Sequence, residues 1–595
     1  MSQTSLREKM NVPVIDWSRM EEAEDFARTV KLFRQGKFPE DLFRRYRLQH
    51  GAYGTRMTSD YAMIRVKIPA GQIHPHQLDK LSQISEQFSI GSAHISTRES
   101  IQLHWVVLED VSEVFRELGQ AGMTSREACG NAIRNVMCSP MCGVCPNESF
   151  DATPYAQATA KFFLRNPMNQ NLPRKFKFTY SCCEEHGMAR IVDVGLIPKI
   201  IEVDGKQVRG FKVFVGGGLG NKSYVGHQLE DFTPEENVLY TAISVVRLFD
   251  RLGDRKNMPR NRLRYLVNQM GWTKFQNLVL KERDLVRATQ SVVVSLPVNL
   301  DTDEIKIPLR VNHQDGNVPA GYARWLSTNT FKQKQDGYRT VFVMLEAGDI
   351  TSGQLRTVAE LIREFSAEGV GRLGFVQNIA IRYVHEDDLL SIYTKMSEAG
   401  LAKSGALTMA APIGCSGTTS CNLALTNSHR LAKEIQRKFL DLELDKDESL
   451  AESSIKISGC PNSCGQHGIA TVGFFGGGGR LGREMYPSYM MSIGGRADGQ
   501  AMLGKNLLRM PAKRVIPAIL QLITMFKEHA QKGDTLKSWL HRVCQDADDI
   551  KIIDIRNRLA PLTTPPTKEE DSDFFADYGS DASYHTKTGR GECAA

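Results

Sequence analysis

YAMIRVKIPAGQIHPHQLDKLSQISEQF (61–88), followed by HISTRESIQLHWV (94–106), returns later in the chain as YRTVFVMLEAGDITSGQLRTVAELIREF (338–365), followed by RLGFVQNIAIRYV (372–384). Each copy reads as strand, helix, strand, because apolar residues alternate in the outer segments and recur at i, i+3 and i+4 in the middle one. Similarity at so long a spacing signals a duplicated domain rather than a solenoid. A second pair of segments agrees. SCCEEHGMARIVDVG (181–195) and NSCGQHGIATVGFFG (462–476) each place a Cys, a His three residues on, and a Gly ahead of a strand. Each half then reaches a glycine run, VGGGLG at 215–220 and FFGGGGRLG at 474–482. The sequence therefore predicts an α+β protein built from two homologous α/β halves about a pseudo-two-fold axis. A site is expected where the halves meet, since pockets form readily at domain interfaces.

Working outward, the predicted layout is a helical lead-in over 1–54, a first small α/β repeat over 55–115 and a larger α/β region over 116–330. A second small repeat over 331–402 and a last α/β region over 403–560 follow, with a polar tail over 561–595. The tail is rich in Pro, Ser, Thr and Asp, so it is expected to be poorly ordered or draped on the surface. A chain of 595 residues with 41% hydrophobic and 24% charged residues is globular rather than disordered. No stretch approaches the roughly 18 to 20 apolar residues of a membrane span, and the first residues lack the apolar core of a secretory signal, so a cytoplasmic location is expected. The net charge of +7, from 75 basic against 68 acidic residues, is too dilute for a nucleic-acid binder. It suits a small anionic substrate, an anionic cofactor or an acidic electron-donor protein.

Ten of the twelve cysteines fall into two blocks: Cys129, Cys138, Cys142, Cys145, Cys182 and Cys183, then Cys415, Cys421, Cys460 and Cys464. In an intracellular protein such spacing points to metal or cluster ligation. CSGTTSC (415–421) and CPNSC (460–464) offer four thiolates in two loops, a set that suits an iron-sulfur cluster or zinc. The wider gap fits the bulkier cubane better than zinc, and Gly414, Gly417, Gly459 and Gly465 let the backbone bend tightly around it. The first block has two readings: small buried apolar residues left from an ancestor, or ligands of a second iron-sulfur cluster. Cys593, in the tail, reads as an ordinary exposed cysteine.

The C-x5-C and C-x3-C pair, the latter inside SGCPNSCGQHG, resembles the signature of sirohaem-containing sulfite and nitrite reductases, and the resemblance extends over about residues 45 to 560. It implies the duplicated fold of that family, with ferredoxin-like half-domains and two larger domains binding sirohaem and cluster. It further implies that Cys415, Cys421, Cys460 and Cys464 hold a 4Fe-4S cluster and that Cys464 also ligates the sirohaem iron. Sirohaem carries eight carboxylates, which cannot be buried without cations and hydrogen-bond donors. In STRESIQLHW, Thr97, Arg98, Gln102 and His104 resemble the family's sirohaem-binding strand, while His94 stands where an arginine is expected. Gly216, Gly217 and Gly218, and Gly476 to Gly479, could present backbone N–H groups to carboxylates.

Arg65 in MIRVKIPAG, Arg134 in AIRNVMC, and Lys175 with Lys177 in LPRKFKF match the family's cations on the substrate side. Strand alternation puts both lysines of KFK on one face, an arrangement of little structural merit without an anion between them. The nitrite branch of the family tends to carry asparagine at the second lysine, so the resemblance implies six-electron reduction of sulfite to sulfide. Reduction of nitrite to ammonia is the alternative, and a non-catalytic iron-sulfur electron-transfer protein the remote one. VGGGLGN does not complete a dinucleotide fingerprint, so electrons are expected from a separate ferredoxin or flavoprotein. A single chain carrying both halves implies a monomer.

Overall fold

A Thr351–Gln354 capping box, in which Thr351 Oγ1 accepts from the Gln354 amide (3.2 Å) and Gln354 Oε1 from the Thr351 amide (3.1 Å), starts the helix Ser352–Phe365. At the matching place in the first repeat, Pro75 occupies the first turn of the helix Pro75–Phe88, behind His74, whose amide donates to Gln77 Oε1 (3.0 Å). The computed structural model that shows these caps describes residues 10, 12–56, 58–290, 318–589 and 592. Residues 291–317 of the predicted 116–330 region and Cys593 lie outside the described residues.

The strands fall into four groups of five in chain order. The first repeat carries β1 (Ala52–Gly54), β2 (Tyr61–Lys67), β3 (Gln72–Ile73), β4 (Ser92–Ile95) and β5 (Ser100–Val107). Next come β6 (Met137–Cys138), β7 (Phe178–Tyr180), β8 (Val194–Val203), β9 (Lys206–Val215) and β10 (His227–Pro234). The second repeat carries β11 (Thr330–Lys332), β12 (Tyr338–Val343), β13 (Asp349–Thr351), β14 (Gly371–Leu373) and β15 (Ile379–His385). The last region carries β16 (Ile413–Gly414), β17 (Ile455–Ser458), β18 (Val472–Leu481), β19 (Glu484–Ile493) and β20 (Lys505–Pro511).

The sheets repeat the duplication strand for strand. The larger sheets run β6-β7-β8-β9-β10 and β16-β17-β18-β19-β20, each with three parallel strands followed by antiparallel partners. The smaller ones run β1-β2-β5-β4 and β11-β12-β15-β14, and each is completed by an edge strand from the other: β13 pairs with β4, and β3 pairs with β14. The two capped helices lie over this joined structure. Leu78, Leu81 and Ile84 share one apolar core with Leu355, Val358 and Ile362. Burying such side chains supplies roughly 1.5–3 kcal/mol each, so the joint between repeats is part of the core, not a hinge.

One expectation changes. Gly476 to Gly479 form no loop: they lie within β18 and pair with Tyr486 to Tyr489 of β19. Glycine is needed for closeness at Gly476, where a Cβ would lie 2.7 Å from the Gly459 carbonyl oxygen. The counterpart of Gly216, which follows β9 at φ +83°, is Gly494, which follows β19 at φ +77°. The tail, as far as it is described, is draped but ordered by its own contacts. Phe575 and Tyr584 are buried, Tyr584 Oη donates to the Leu425 carbonyl (2.9 Å), and Asp577 Oδ2 accepts from the Asn427 amide (2.7 Å). Among the described residues no helix is long and apolar enough to cross a membrane.

Candidate functional site

The β4–β5 turn, residues 96–99, carries the first half into the second. Thr97 Oγ1 donates to the Cys464 carbonyl (2.9 Å), and Gln466 Nε2 donates back to the Thr97 carbonyl (3.3 Å). Gln466 and Ser463 both have positive φ, +63° and +59°, so the chain around Cys464 is tightly turned. A Cβ on Gly465 would lie 1.9 Å from the Ile457 carbonyl, which only glycine avoids.

Cys415, Cys421, Cys460 and Cys464 converge. Burial, and then the charges of Cys464, Cys415 and Cys421, push the Cys460 thiol far up, so four thiolates cannot share this space without a cation centre. Cys415 Sγ accepts from the Gly459 amide (3.2 Å), as a metal-bound thiolate does. Cys464, alone of the four, is exposed. The donor set therefore fits a cluster whose sulfurs are held by backbone amides.

On the other side stand the cations. In β2 and β5, Ile64, Val66, Ile101 and Leu103 enter the core, which turns Arg65, Gln102 and His104 to the opposite face, with Arg65 directly across from Gln102. Burial and the neighbouring His94 hold His104 neutral, with its pKa pushed down to about 3. Arg98 is in the turn, and its Nη2 donates to the Asn135 carbonyl (2.7 Å). Arg65 and Arg134 share one hydroxyl: Nη1 of each donates to Tyr53 Oη, at 2.7 and 3.2 Å. Lys175 and Lys177 flank the buried Phe176, the latter just ahead of β7.

Burial pushes the Lys177 ammonium well below its ordinary range, Arg98, Arg262 and Lys175 add to the effect, and Asp193 opposes it. Burial lowers the Arg98 pKa, Glu99 and Asp193 oppose that shift, and Arg134 and Arg262 add to it. The predicted cations thus form one neighbourhood beside the turn that touches Cys464. His94 is used differently. Its Nδ1 lies 3.0 Å from Asp349 Oδ1 and its Nε2 3.1 Å from Gln377 Nε2, so both ring nitrogens are engaged by protein.

Four further residues escaped the sequence reading. Arg262 pairs with the buried Asp193 (2.7 Å), and Arg264 reaches over Gly218 and Gly220, where a Cβ would lie 3.0 and 2.8 Å from its guanidinium nitrogens. Arg190 packs its guanidinium 4.5 Å over the Phe214 ring, and Tyr53 joins Arg65 to Arg134. Only the alternation in RNRLR (260–264) hinted at the first pair.

Buried Nε atoms of Arg65, Arg98, Arg190 and Arg262 have no hydrogen-bond partner among the described residues. Leaving several charged donors unmatched costs several kcal/mol, so the cradle is complete only with anionic acceptors in it. The carboxylates of sirohaem are such acceptors, and the residues present fit the group.

Comparison with known proteins agrees with this geometry. The family model described as "Nitrite and sulphite reductase 4Fe-4S domain" matches residues 129–286, and "Nitrite/Sulfite reductase ferredoxin-like half domain" matches residues 54–121 and 331–399. The first match covers the larger region of the first half, so the four C-terminal cysteines lie outside it. An assimilatory ferredoxin-dependent nitrite reductase of Haloferax mediterranei is 28% identical over 508 residues, 82% of this chain and 83% of the relative. Sulfite reductase [ferredoxin] 1 of Mycolicibacterium paratuberculosis is 26% identical over 507 residues, 82% of this chain and 84% of the relative. The solved structure of Mycobacterium tuberculosis NirA has the same fold, with a TM-score of 0.71 at 22% identity over 89% of this chain and 98% of that one. Duplicated sheets, paired half-domains and a cysteine site facing a buried cationic cradle place the chain in the sulfite and nitrite reductase family, whose cofactors are sirohaem and a 4Fe-4S cluster.

Proposed function

We propose that the chain reduces sulfite to sulfide with electrons from ferredoxin, that Cys415, Cys421, Cys460 and Cys464 hold its cluster, and that Cys464 joins the cluster to sirohaem. The observation that carries this reading is the environment of Lys177: a half-buried ammonium that feels the cations Arg98, Arg262 and Lys175, with Asp193 opposing them. When bound, the two cofactors deliver electrons and hold the substrate atom. The chain's own groups do the rest. Thr97, Arg98, Gln102 and His104, with Arg190, Arg262 and Arg264 and the Gly216–Gly218 turn, take the macrocycle's carboxylates. Arg65, Arg134, Lys175 and Lys177 hold the anion's oxygens and stabilise the charge that builds as each leaves as water. Tyr53 keeps the first two in register. Lys177, with its pKa lowered, gives up a proton more readily than an exposed lysine.

Nitrite reduction to ammonia is the second reading, favoured by relatives named ferredoxin-dependent nitrite reductases. Nitrite has one charge and two oxygens, so it needs fewer cations than this pocket holds. With a reduced viologen as donor, kcat/KM for sulfide release is expected to exceed that for ammonia formation, and the purified protein to show strong chlorin-like visible bands. The reverse ratio assigns the chain to nitrite. A colourless protein sinks both readings.

A further inference from the structure

The geometry points to a single tetrahedral metal ion, zinc by its ligand set, held by Cys145, Cys182, Cys183 and His186 in the first half. Their ligand atoms all lie within 4.8 Å of one another, and the three thiols are buried. Cys145 and Cys183 sulfurs are 3.8 Å apart, and Cys182 and Cys183 sulfurs 3.9 Å. His186 Nδ1 lies 3.3 Å from Cys183 Sγ and 3.6 Å from Cys145 Sγ. Zinc binds thiolate at about 2.3 Å and imidazole at about 2.0–2.1 Å, which makes the edges of its tetrahedron about 3.8 Å between sulfurs and about 3.6 Å between sulfur and nitrogen. The two sulfur–sulfur separations of 3.8 and 3.9 Å and the sulfur–nitrogen separations of 3.3 and 3.6 Å lie close to those edges, and the two remaining pairs are within 4.8 Å.

The chain reaches this geometry by shortening a loop. The parallel pairing of β7 with β8 and of β17 with β18 makes Ser181 the counterpart of Ser458. From there Cys464 follows six positions on, but Cys183 only two, as SGCPNSC becomes SCC. The shorter turn draws its sulfurs inward. It also leaves His186 facing them, whereas its counterpart His467 is held by Ser458 Oγ (3.0 Å).

A cubane spreads its four ligands well beyond the reach of one ion. Among the described residues, the sulfurs of Cys415, Cys421, Cys460 and Cys464 form no group as tight as this one. The remaining three cysteines of the block, Cys129, Cys138 and Cys142, are buried in the core. Cys138 Sγ lies 3.9 Å from Thr153 Oγ1, and Cys129 and Cys142 are fully buried outside the group of four. The amide of His186 donates to Cys183 Sγ (3.3 Å), and Ser139 Oγ lies 3.5 Å from Cys182 Sγ, contacts that orient metal-bound thiolates. Binding releases the thiol protons and needs no redox partner.

The ion would tie the first half to the second repeat. The loop bearing Cys145 accepts the Lys334 amide at the Val144 carbonyl (3.0 Å) and Gln335 Nε2 at the Gly143 carbonyl (2.9 Å), and the His186 ring packs on Phe331.

Zinc and iron are to be counted in the full-length holoprotein from cells supplied with zinc, and the zinc K-edge absorption recorded on the same sample. The expected result is one zinc per chain with three sulfurs at about 2.3 Å and one nitrogen at about 2.0–2.1 Å, beside the iron of sirohaem and one cubane. Cys183→Ser is expected to lose at least about nine-tenths of the zinc with the iron count and visible bands kept. His186→Cys, which guards against a misfolded variant, is expected to keep zinc with four sulfurs. Four irons beyond sirohaem and its cubane, or no zinc, or zinc bound by other ligands, would overturn the assignment. None of these outcomes depends on which anion the enzyme reduces.

Discussion

Lys177→Asn is expected to lower kcat/KM for sulfite about 100-fold while lowering that for nitrite less than about 5-fold. Truncating one partner of a buried, hydrogen-bonded charge pair costs about 2–5 kcal/mol, and each 1.4 kcal/mol is tenfold. The full loss applies only where the missing charge has no substitute. Around a dianion with three oxygens, Arg65, Arg134 and Lys175 are one cation per oxygen, and the fourth charge that offsets the second negative charge is gone. Around nitrite the same three groups suffice.

The substrate-free protein also sets a pH dependence. Lys177 is pushed well below its ordinary range by burial and by its cationic neighbours. A bound dianion reverses that, so binding takes up a proton and KM for sulfite rises with pH. In Lys177→Asn this rise disappears. Equal losses on both substrates, or an unchanged pH profile, would remove the electrostatic case for sulfite.

The largest effect on stability is expected at Glu368. Its buried carboxylate accepts from Arg372 Nη2 (2.5 Å) and Arg382 Nε (2.8 Å), and Arg382 reaches on to the carbonyls of Pro140 (3.1 Å) and Cys142. Glu368→Gln leaves two buried guanidiniums without their counter-charge, at a cost of about 3–5 kcal/mol. Burial alone would raise the Glu368 pKa, but the two arginines more than reverse it and hold it at about 2, against an ordinary 4.5. A carboxylate lowered in this way contributes stability above pH 4.5, which is lost as pH falls towards about 2. The difference is about 3 kcal/mol. Denaturant unfolding of wild type should therefore weaken across that window, and Glu368→Gln should start less stable and lack this component. A variant as stable as wild type at pH 7 would show that the triad contributes nothing.

The duplication and the four C-terminal cysteines were legible because both leave local patterns: alternation, helical spacing, and fixed intervals between thiols. Thr97, Arg98 and the lysines of KFK were legible as motifs, though only the folded chain shows Thr97 touching Cys464. What stayed hidden depends on long-range pairing. β3 and β13 are two and three residues long, too short for a periodic signal, so their exchange between sheets could not be read. Arg190 and Arg262 sit in stretches that resemble ordinary surface, and their burial follows from packing by the Gly216–Gly218 turn. The glycine runs misled because glycine serves equally for a turn and for close cross-strand contact. Gly476 is of the second kind.

The reciprocal loan of edge strands bears on how the protein comes off the ribosome. When Val107 has emerged, the first sheet still lacks a neighbour for β4, and it waits until Thr351 is out. Through more than two hundred residues of synthesis that open edge is a docking strip for any passing extended segment. Truncated nascent chains ending before the second repeat are thus the species most in need of chaperones.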